Sequence, residues 1–134
     1  MSALRFVVVT TTVSTKAGAL HLARAVVRAR LAACAQCWPI VSVYRWRGKV
    51  ETTGEFAVAC KTRSDRAAAL QAFIRARHAY ELPELLVTPI LRGLPGYLQW
   101  LAEECAPARP PAHPRPASPV VAARPQRRRK ARPS

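Results

Sequence analysis

The stretch that decides the fold is FVVVTTT, at residues 6–12. It is β-branched and nearly all apolar, a pattern typical of a strand that is buried on both of its faces. We therefore expect a strand from about Leu4 to Thr12 that lies at the centre of a sheet.

A helix is predicted directly after this strand. Ser14 or Thr15 can cap its N-terminus. Four apolar residues recur at helical spacing and define its predicted buried face: Leu20, Ala23, Val27 and Leu31. The pattern indicates an amphipathic helix of about four turns.

Residues 33–62 have the pattern of two antiparallel strands joined by a hairpin. Residues 33–46 are β-like, residues 47–49 (RGK) are typical of a hairpin loop, and residues 50–62 resume as a strand. In the second strand Phe56, Val58 and Cys60 alternate with Glu55, Ala57 and Lys61. We expect the face that bears the second set to be the wetter one.

The remaining elements complete a known arrangement. Ser64 is predicted to cap a second helix that stops around His78, residues 84–91 form an apolar strand, and Pro95 opens a short last helix. The order β-α-β-β-α-β plus a helix predicts an α+β, ferredoxin-like sandwich, with both main helices on one face of a four-stranded sheet. Because monomers disfavour large exposed apolar patches, the other face predicts a homo-oligomer.

The composition divides the chain near residue 105. Residues 106–134 contain eight prolines and eight Lys or Arg, with no acidic or aromatic residue, which is typical of a disordered basic tail. Residues 1–105, the predicted folded domain, carry 14 basic and seven acidic residues. The formal charge of +15 is therefore split almost evenly between a domain and its tail.

The predicted compartment is the cytoplasm. The first residues lack the apolar stretch of a signal peptide, and no run reaches the length of a membrane span, so we expect no membrane association. The four cysteines allow two disulfides by number alone, but a reducing compartment favours thiols. Cys34 and Cys37 form a lone CxxC whose spacing places them on opposite faces of a strand, which favours structural thiols over a metal pair.

Two stretches collect residue types that bind ligands. Residues 78–84 (HAYELPE) combine an imidazole, a phenol and two carboxyl groups between a helix and a strand. They are a candidate binding loop, and the alternative is that His78 caps the helix while Tyr80 packs and Glu84 faces solvent. In residues 44–49 (YRWRGK) the aromatic residues share one side of a strand, which favours packing in a core or interface over base stacking.

No pattern in the chain is typical of catalysis. We find no nucleophile with a neighbouring base, no glycine-rich phosphate loop and no paired carboxylate motif, and the three histidines are scattered at positions 21, 78 and 113. The sequence therefore predicts a protein that is not an enzyme.

Six stretches, in order across residues 4–104, resemble the CutA divalent-cation tolerance family. They are FVVVTT at 6–11, RLAAC at 30–34, YRWRGKVE at 44–51, KT at 61–62, HAYELPELL at 78–86 and YLQWL at 97–101. The resemblance implies a homotrimer with its sheets facing inward, similar in architecture to the PII signalling proteins. It also implies a function in tolerance of copper and other divalent metal ions.

The resemblance implies two kinds of site. The family's copper ligands are a cysteine at the end of the first strand and adjacent histidines, and here Thr11 and Arg77 occupy two of these positions, which leaves His78 as the candidate metal ligand. The family's intersubunit cleft matches four residues, a candidate site for a metal ion or small anion: Trp46, Lys61, Tyr80 and Glu84. The alternative is that these four only join the subunits.

A different function follows from the basic run at residues 127–132 (RRRKAR). Such a run contacts phosphates without reading sequence, so the alternative is a trimeric scaffold whose tail associates weakly and non-specifically with nucleic acid. A solvated tail without a partner fits the same composition.

Overall fold

The computed structural model describes residues 4–107. In chain order its elements are β1 (Phe6–Val13), α1 (Lys16–Arg28), β2 (Cys34–Trp46), β3 (Lys49–Arg63), α2 (Ala67–Arg77), β4 (Leu86–Ile90) and α3 (Pro95–Glu104). A short 3-10 turn at Ser64–Arg66 precedes α2.

The strands form one antiparallel sheet in the order β2-β3-β1-β4. The predicted α+β, ferredoxin-like arrangement is confirmed, and so is the central position of β1. The apolar core lies between one face of this sheet and the two main helices. Its fully buried members include Val9, Val26, Val58, Leu70 and Ile74.

β2 and β3 are much longer than β1 and extend beyond it as a two-stranded ribbon. β1 pairs with β3 only as far as Phe56, so residues 40–55, here called the projecting hairpin, have no third strand beside them. Arg47 and Gly48 connect the strands with φ of 51° and 82°, as in the primed turns that match strand twist. The connection is thus one residue shorter than the predicted loop.

Two predictions about buried faces are wrong. In β3, Glu55 is only 8% exposed and Ala57 is also buried, because Ala57 lies between its cross-strand neighbours Trp38 and Thr12. In α1 the buried residues are Ala19, Leu22, Ala23 and Val26. Of the predicted set, Ala23 is buried and Leu31 is buried beyond the end of the helix, but Val27 is exposed. Small alanines allow a different stripe of this alanine-rich helix to approach the sheet.

The predicted helix ends are partly correct. Thr15 caps α1 by accepting a hydrogen bond from the Gly18 amide at 3.0 Å. Ser64 does not cap α2, because it opens the 3-10 turn and its amide donates to the Arg5 carbonyl. α2 begins at Ala67 and ends at Arg77, and β4 is shorter than the predicted strand at residues 84–91.

α3 covers one end of the sheet face that α1 and α2 leave open. Lys61 and Arg63 are on that face, and Arg63 donates to the Ala102 carbonyl at 3.3 Å. Leu101 and Cys105 are completely buried there. The face that was expected to need a partner is therefore only partly open.

The predicted basic tail, residues 106–134, lies outside the described residues apart from Ala106 and Pro107. Its separation from a domain at residues 1–105 stays a prediction. Among the described residues, no helix is both long enough and apolar enough to cross a bilayer.

Candidate functional site

The loop between α2 and β4 is held by the end of β1. The His78 Nε2 atom lies 2.8 Å from the Thr12 carbonyl oxygen, and the Tyr80 amide donates to His78 Nδ1 at 3.1 Å. One donor and one acceptor nitrogen describe a neutral imidazole with its proton on Nε2. The imidazole therefore anchors the loop to the sheet, while the His78 backbone amide caps α2 by donating to the Arg75 carbonyl at 3.4 Å.

A second anchor holds the other end of the same loop. The Thr11 hydroxyl donates to the Glu84 carbonyl oxygen at 2.7 Å, and Thr11 is completely buried. The residue at the position of the family's cysteine thus has a structural role in this chain. The Glu84 side chain is exposed.

Tyr80 connects the loop to the projecting hairpin. Its hydroxyl donates to Glu55 Oε2 at 2.7 Å, and the Ser42 hydroxyl donates to Glu55 Oε1 at 2.8 Å. Burial, followed by the hydrogen bond and charge of Glu55, raises the pKa of Tyr80 well above its usual value. The phenol therefore remains a hydrogen-bond donor at physiological pH.

Glu55 was missed as a site residue. Strand alternation alone places it on a solvent-facing side, and the residue that covers it is 25 positions away in the chain. The available signal was an acidic residue inside an otherwise apolar stretch, at residues 54–60.

The two remaining cleft candidates lie far apart in one chain. Trp46 ends β2 and pairs with Lys49, which is twelve residues from Lys61 along β3. At about 3.3 Å per residue, this path is roughly 40 Å. Lys61 instead lies near α3, with its Nζ 5.8 Å from the centre of the Tyr97 ring.

An ion pair links the hairpin tip to the loop. Arg47 donates to the Glu81 carboxyl group at 3.0 Å and lies 5.1 Å from the centre of the Trp46 ring. Tyr80 and Glu84 therefore lie on one loop that the hairpin tip contacts through Glu81, but Lys61 stays at the other end of the sheet. No Lys61–Glu84 ion pair forms within the described part of the chain.

The residues of a single chain do not fit a copper ion. Both nitrogens of His78 are hydrogen-bonded, and Arg77 stacks its guanidinium 3.5 Å from the centre of the Phe73 ring. Among residues 4–107 no three His, Cys, Asp or Glu side chains are placed to share an ion. Metal binding at His78 stays a prediction, and it requires the Tyr80 amide to release Nδ1.

The cysteines are free thiols in the structure. Cys34 and Cys37 are half-buried in β2, and the sheet register places them on opposite faces, as their spacing predicted. Burial, with a smaller contribution from Cys34 and Cys37, raises the pKa of Cys60 to about 12. Cys60 is therefore a neutral core residue at physiological pH.

A cavity of about 430 Å³ opens between the start of α1 and the end of α2. Its lining includes Thr15, His21, Ile74, Arg77 and His78, and none of its described lining residues is acidic. Its volume falls in the lower part of the range typical of small-molecule sites.

The chain is similar in sequence to proteins of a known family. The sequence model of the CutA1 divalent ion tolerance protein family matches residues 7–104. The chain is 44% identical over 84 residues to protein CutA of Mus musculus, which is 62% of this chain and 48% of the mouse protein. It is 39% identical over 83 residues to the divalent-cation tolerance protein CutA of Archaeoglobus fulgidus, which is 62% of this chain and 81% of that protein.

A solved structure agrees with these sequence matches. The structure of CutA from Synechococcus elongatus has a TM-score of 0.75 to this chain at 36% identity, and the match covers 79% of this chain and 95% of that one. The chain spans about half the length of the mammalian relatives that it matches.

Proposed function

This chain belongs to the CutA1 divalent ion tolerance family, as its motifs predicted, and we propose that it acts as a homotrimeric metal-response protein. In this proposal the sheets face inward and each cleft between subunits binds a divalent metal ion or a small anion. The observation that carries the proposal is the apolar surface that a single chain leaves open.

The open apolar surface is concentrated on the projecting hairpin. Val41, Val43 and Val50 share one face of the ribbon and are 73%, 65% and 63% exposed. Tyr44 and Trp38 are exposed on the opposite face. Isolated two-stranded ribbons are marginally stable in water, and exposed apolar patches of this kind mark interfaces. We propose that other copies of the chain bury these exposed residues in the trimer.

β2 adds a backbone argument for assembly. It is an edge strand of 13 residues, and no other strand within residues 4–107 pairs with the amides and carbonyls of its outer side. Proteins normally shorten, interrupt or cover such long edges, because an open edge pairs with other chains. A neighbouring subunit that covers this edge accounts for its length.

The separation of the cleft candidates supports a site shared between subunits. Trp46 and Lys61 lie about 40 Å apart along the sheet of one chain. Residues from two subunits are needed to place Lys61 beside Tyr80 and Glu84. A metal site likewise needs donors from a second subunit, because His78 supplies at most Nδ1, and only after the Tyr80 amide releases that nitrogen.

We propose binding rather than catalysis at this site, in the cytoplasm. The imidazole of the loop holds two backbone groups, so it is not free to act as a general base. Four free thiols suit a reducing compartment.

Isothermal titration of the full chain with Cu²⁺, Zn²⁺ and inorganic phosphate tests the cleft. We expect at least one of these probes to saturate at one equivalent per chain, because a trimer has three equivalent clefts. His78→Gln should remove the heat of metal binding, and Lys61→Gln should remove the heat of phosphate binding. The controls His21→Gln and Lys49→Gln should retain them.

The absence of heat from all three probes contradicts the proposed cleft. Equal losses in the test and control variants also contradict it, because they indicate binding at scattered surface sites.

A further inference from the structure

The outer surface of the two main helices carries charge of one sign. α1 and α2 contain five Lys or Arg and no Asp or Glu. All five are exposed, and we call them the basic layer: Lys16, Arg24, Arg28, Arg75 and Arg77. Most surface helices mix both signs, because opposite charges four residues apart stabilise a helix and like charges destabilise it.

Within residues 4–107, no cation of the basic layer forms an ion pair with an acidic residue. Ion pairs in the described part of the chain involve Arg30, Arg47 and Arg63 instead. The acidic residues lie elsewhere: on β3, in the 3-10 turn, in the α2–β4 loop and on α3. Arg24 and Arg28 are moreover like charges one helical turn apart. The fold thus separates a cationic outer surface from a sheet side of mixed charge.

We propose that the basic layer is a docking surface for the phosphate backbone of double-stranded nucleic acid. Four of its five cations are arginines, whose planar fork matches the oxygens of a phosphate. Lys16 to Arg28 extends about 18 Å along α1 at 1.5 Å per residue. A duplex presents about ten phosphates over that length, so several cations contact the backbone at once.

The composition of the layer favours a duplex over a membrane or a single strand. Val27 is the one large apolar residue of α1 and α2 that is strongly exposed, whereas membrane-surface helices need an extended apolar face. Single-strand sites stack bases on aromatic rings, but the Phe73 ring is covered by the Arg77 guanidinium. Contacts of this kind position a backbone and do not read its sequence.

The end of α3 lies beside the end of α1. Arg30 donates to the carbonyl oxygens of Glu103 at 2.8 Å and Ala106 at 3.3 Å. The C-terminal end of α3 therefore lies near the end of α1, because Arg30 follows Arg28 by two residues. The basic layer is a candidate contact surface that does not depend on the proposed cleft.

Fluorescence anisotropy with the full chain tests the basic layer. A labelled DNA duplex of about 30 base pairs is titrated over a series of NaCl concentrations, and the logarithm of the binding constant is plotted against that of the salt concentration. The test variant is Arg24→Gln/Arg28→Gln/Arg75→Gln. The control variant is Arg5→Gln/Lys49→Gln/Arg92→Gln, which removes the same charge from exposed cations outside the two helices.

We expect the slope of this plot to fall in magnitude by about 2 to 3 in the test variant, because each phosphate contact contributes about 0.9. The control variant should keep a slope close to that of the wild type. Equal effects in both variants would indicate net charge alone and would overturn the proposal, as would a test variant that binds like the wild type. Tighter binding to phosphatidylserine vesicles than to the duplex, at equal phosphate, would assign the layer to membranes and also overturn it.

Discussion

Glu55 and Tyr80 show how single residues position the candidate site. Glu55 is buried, and it accepts hydrogen bonds from the hydroxyls of Ser42 and Tyr80 without any cation beside it in the described structure. The Tyr80 bond holds the α2–β4 loop on the projecting hairpin, and the Ser42 bond orients the Glu55 carboxyl group within that hairpin. The motif resemblance selected Tyr80 as a site residue, but only the tertiary contact explains what it binds.

Tyr80→Phe should destabilise the protein more than the loss of a hydroxyl group at an exposed position does. The change leaves Glu55 Oε2 buried without its donor, and losing such a partner costs about 1 to 3 kcal/mol. Tyr44→Phe is the matched control, since the Tyr44 hydroxyl contacts Thr53 at an exposed position. We expect urea unfolding to show a loss below about 0.5 kcal/mol for Tyr44→Phe. Equal losses in the two variants would contradict the role of Glu55.

Cys60 should make the protein less stable in alkali. Burial raises the pKa of Cys60 to about 12, so above about pH 9 the unfolded chain releases a proton that the folded chain retains. Stability therefore falls as pH rises from about 9 towards 12, by about 1.4 kcal/mol per unit. Urea unfolding at pH 7 and pH 10 should show this loss in the wild type and a smaller loss in Cys60→Ala. The same loss of stability in both proteins would contradict the contribution of the Cys60 thiol.

At the scale of elements, local patterns predicted which elements exist better than which faces they bury. The apolar run of β1, the Thr15 cap and the Pro95 start of α3 are local signals, and each is confirmed. The buried stripe of α1 was wrong because alanine and valine surround much of the helix, so periodicity alone does not select the face that meets the sheet. The position of α3 against the second sheet face carries no local signal at all.

The projecting hairpin depends on its turn. Gly48 has a φ of 82°, a conformation that other residues adopt at a cost of roughly 1 to 2 kcal/mol. Gly48→Ala should therefore destabilise the protein by about 1 kcal/mol in urea unfolding. Gly54→Ala is the control on the same hairpin, because its φ is ordinary and open space surrounds the added methyl group. A loss in Gly54→Ala as large as that in Gly48→Ala would contradict this account of the turn.

At the scale of the whole molecule, the two sides of the sheet have different characters. The helical side ends in the basic layer, and its sheet face continues along the projecting hairpin with Val41, Val43 and Val50. The other side presents Trp38 and Tyr44, and β2 leaves a long open strand edge beside it. A trimer with inward-facing sheets would bury the second side and display three basic layers outward, which raises the avidity for a duplex. The sequence motifs identified the candidate residues of the cleft. The distance between Trp46 and Lys61 in one chain could not be predicted from them, because it depends on strand lengths and register.

Sedimentation equilibrium of the full chain at micromolar concentration tests most directly whether sister copies cover the open apolar surface. The account predicts a single species of about 44 kDa, three times the 14.7 kDa of one chain. A stable species at the mass of one chain would contradict it, since the valines of the projecting hairpin would then be exposed to water without a partner.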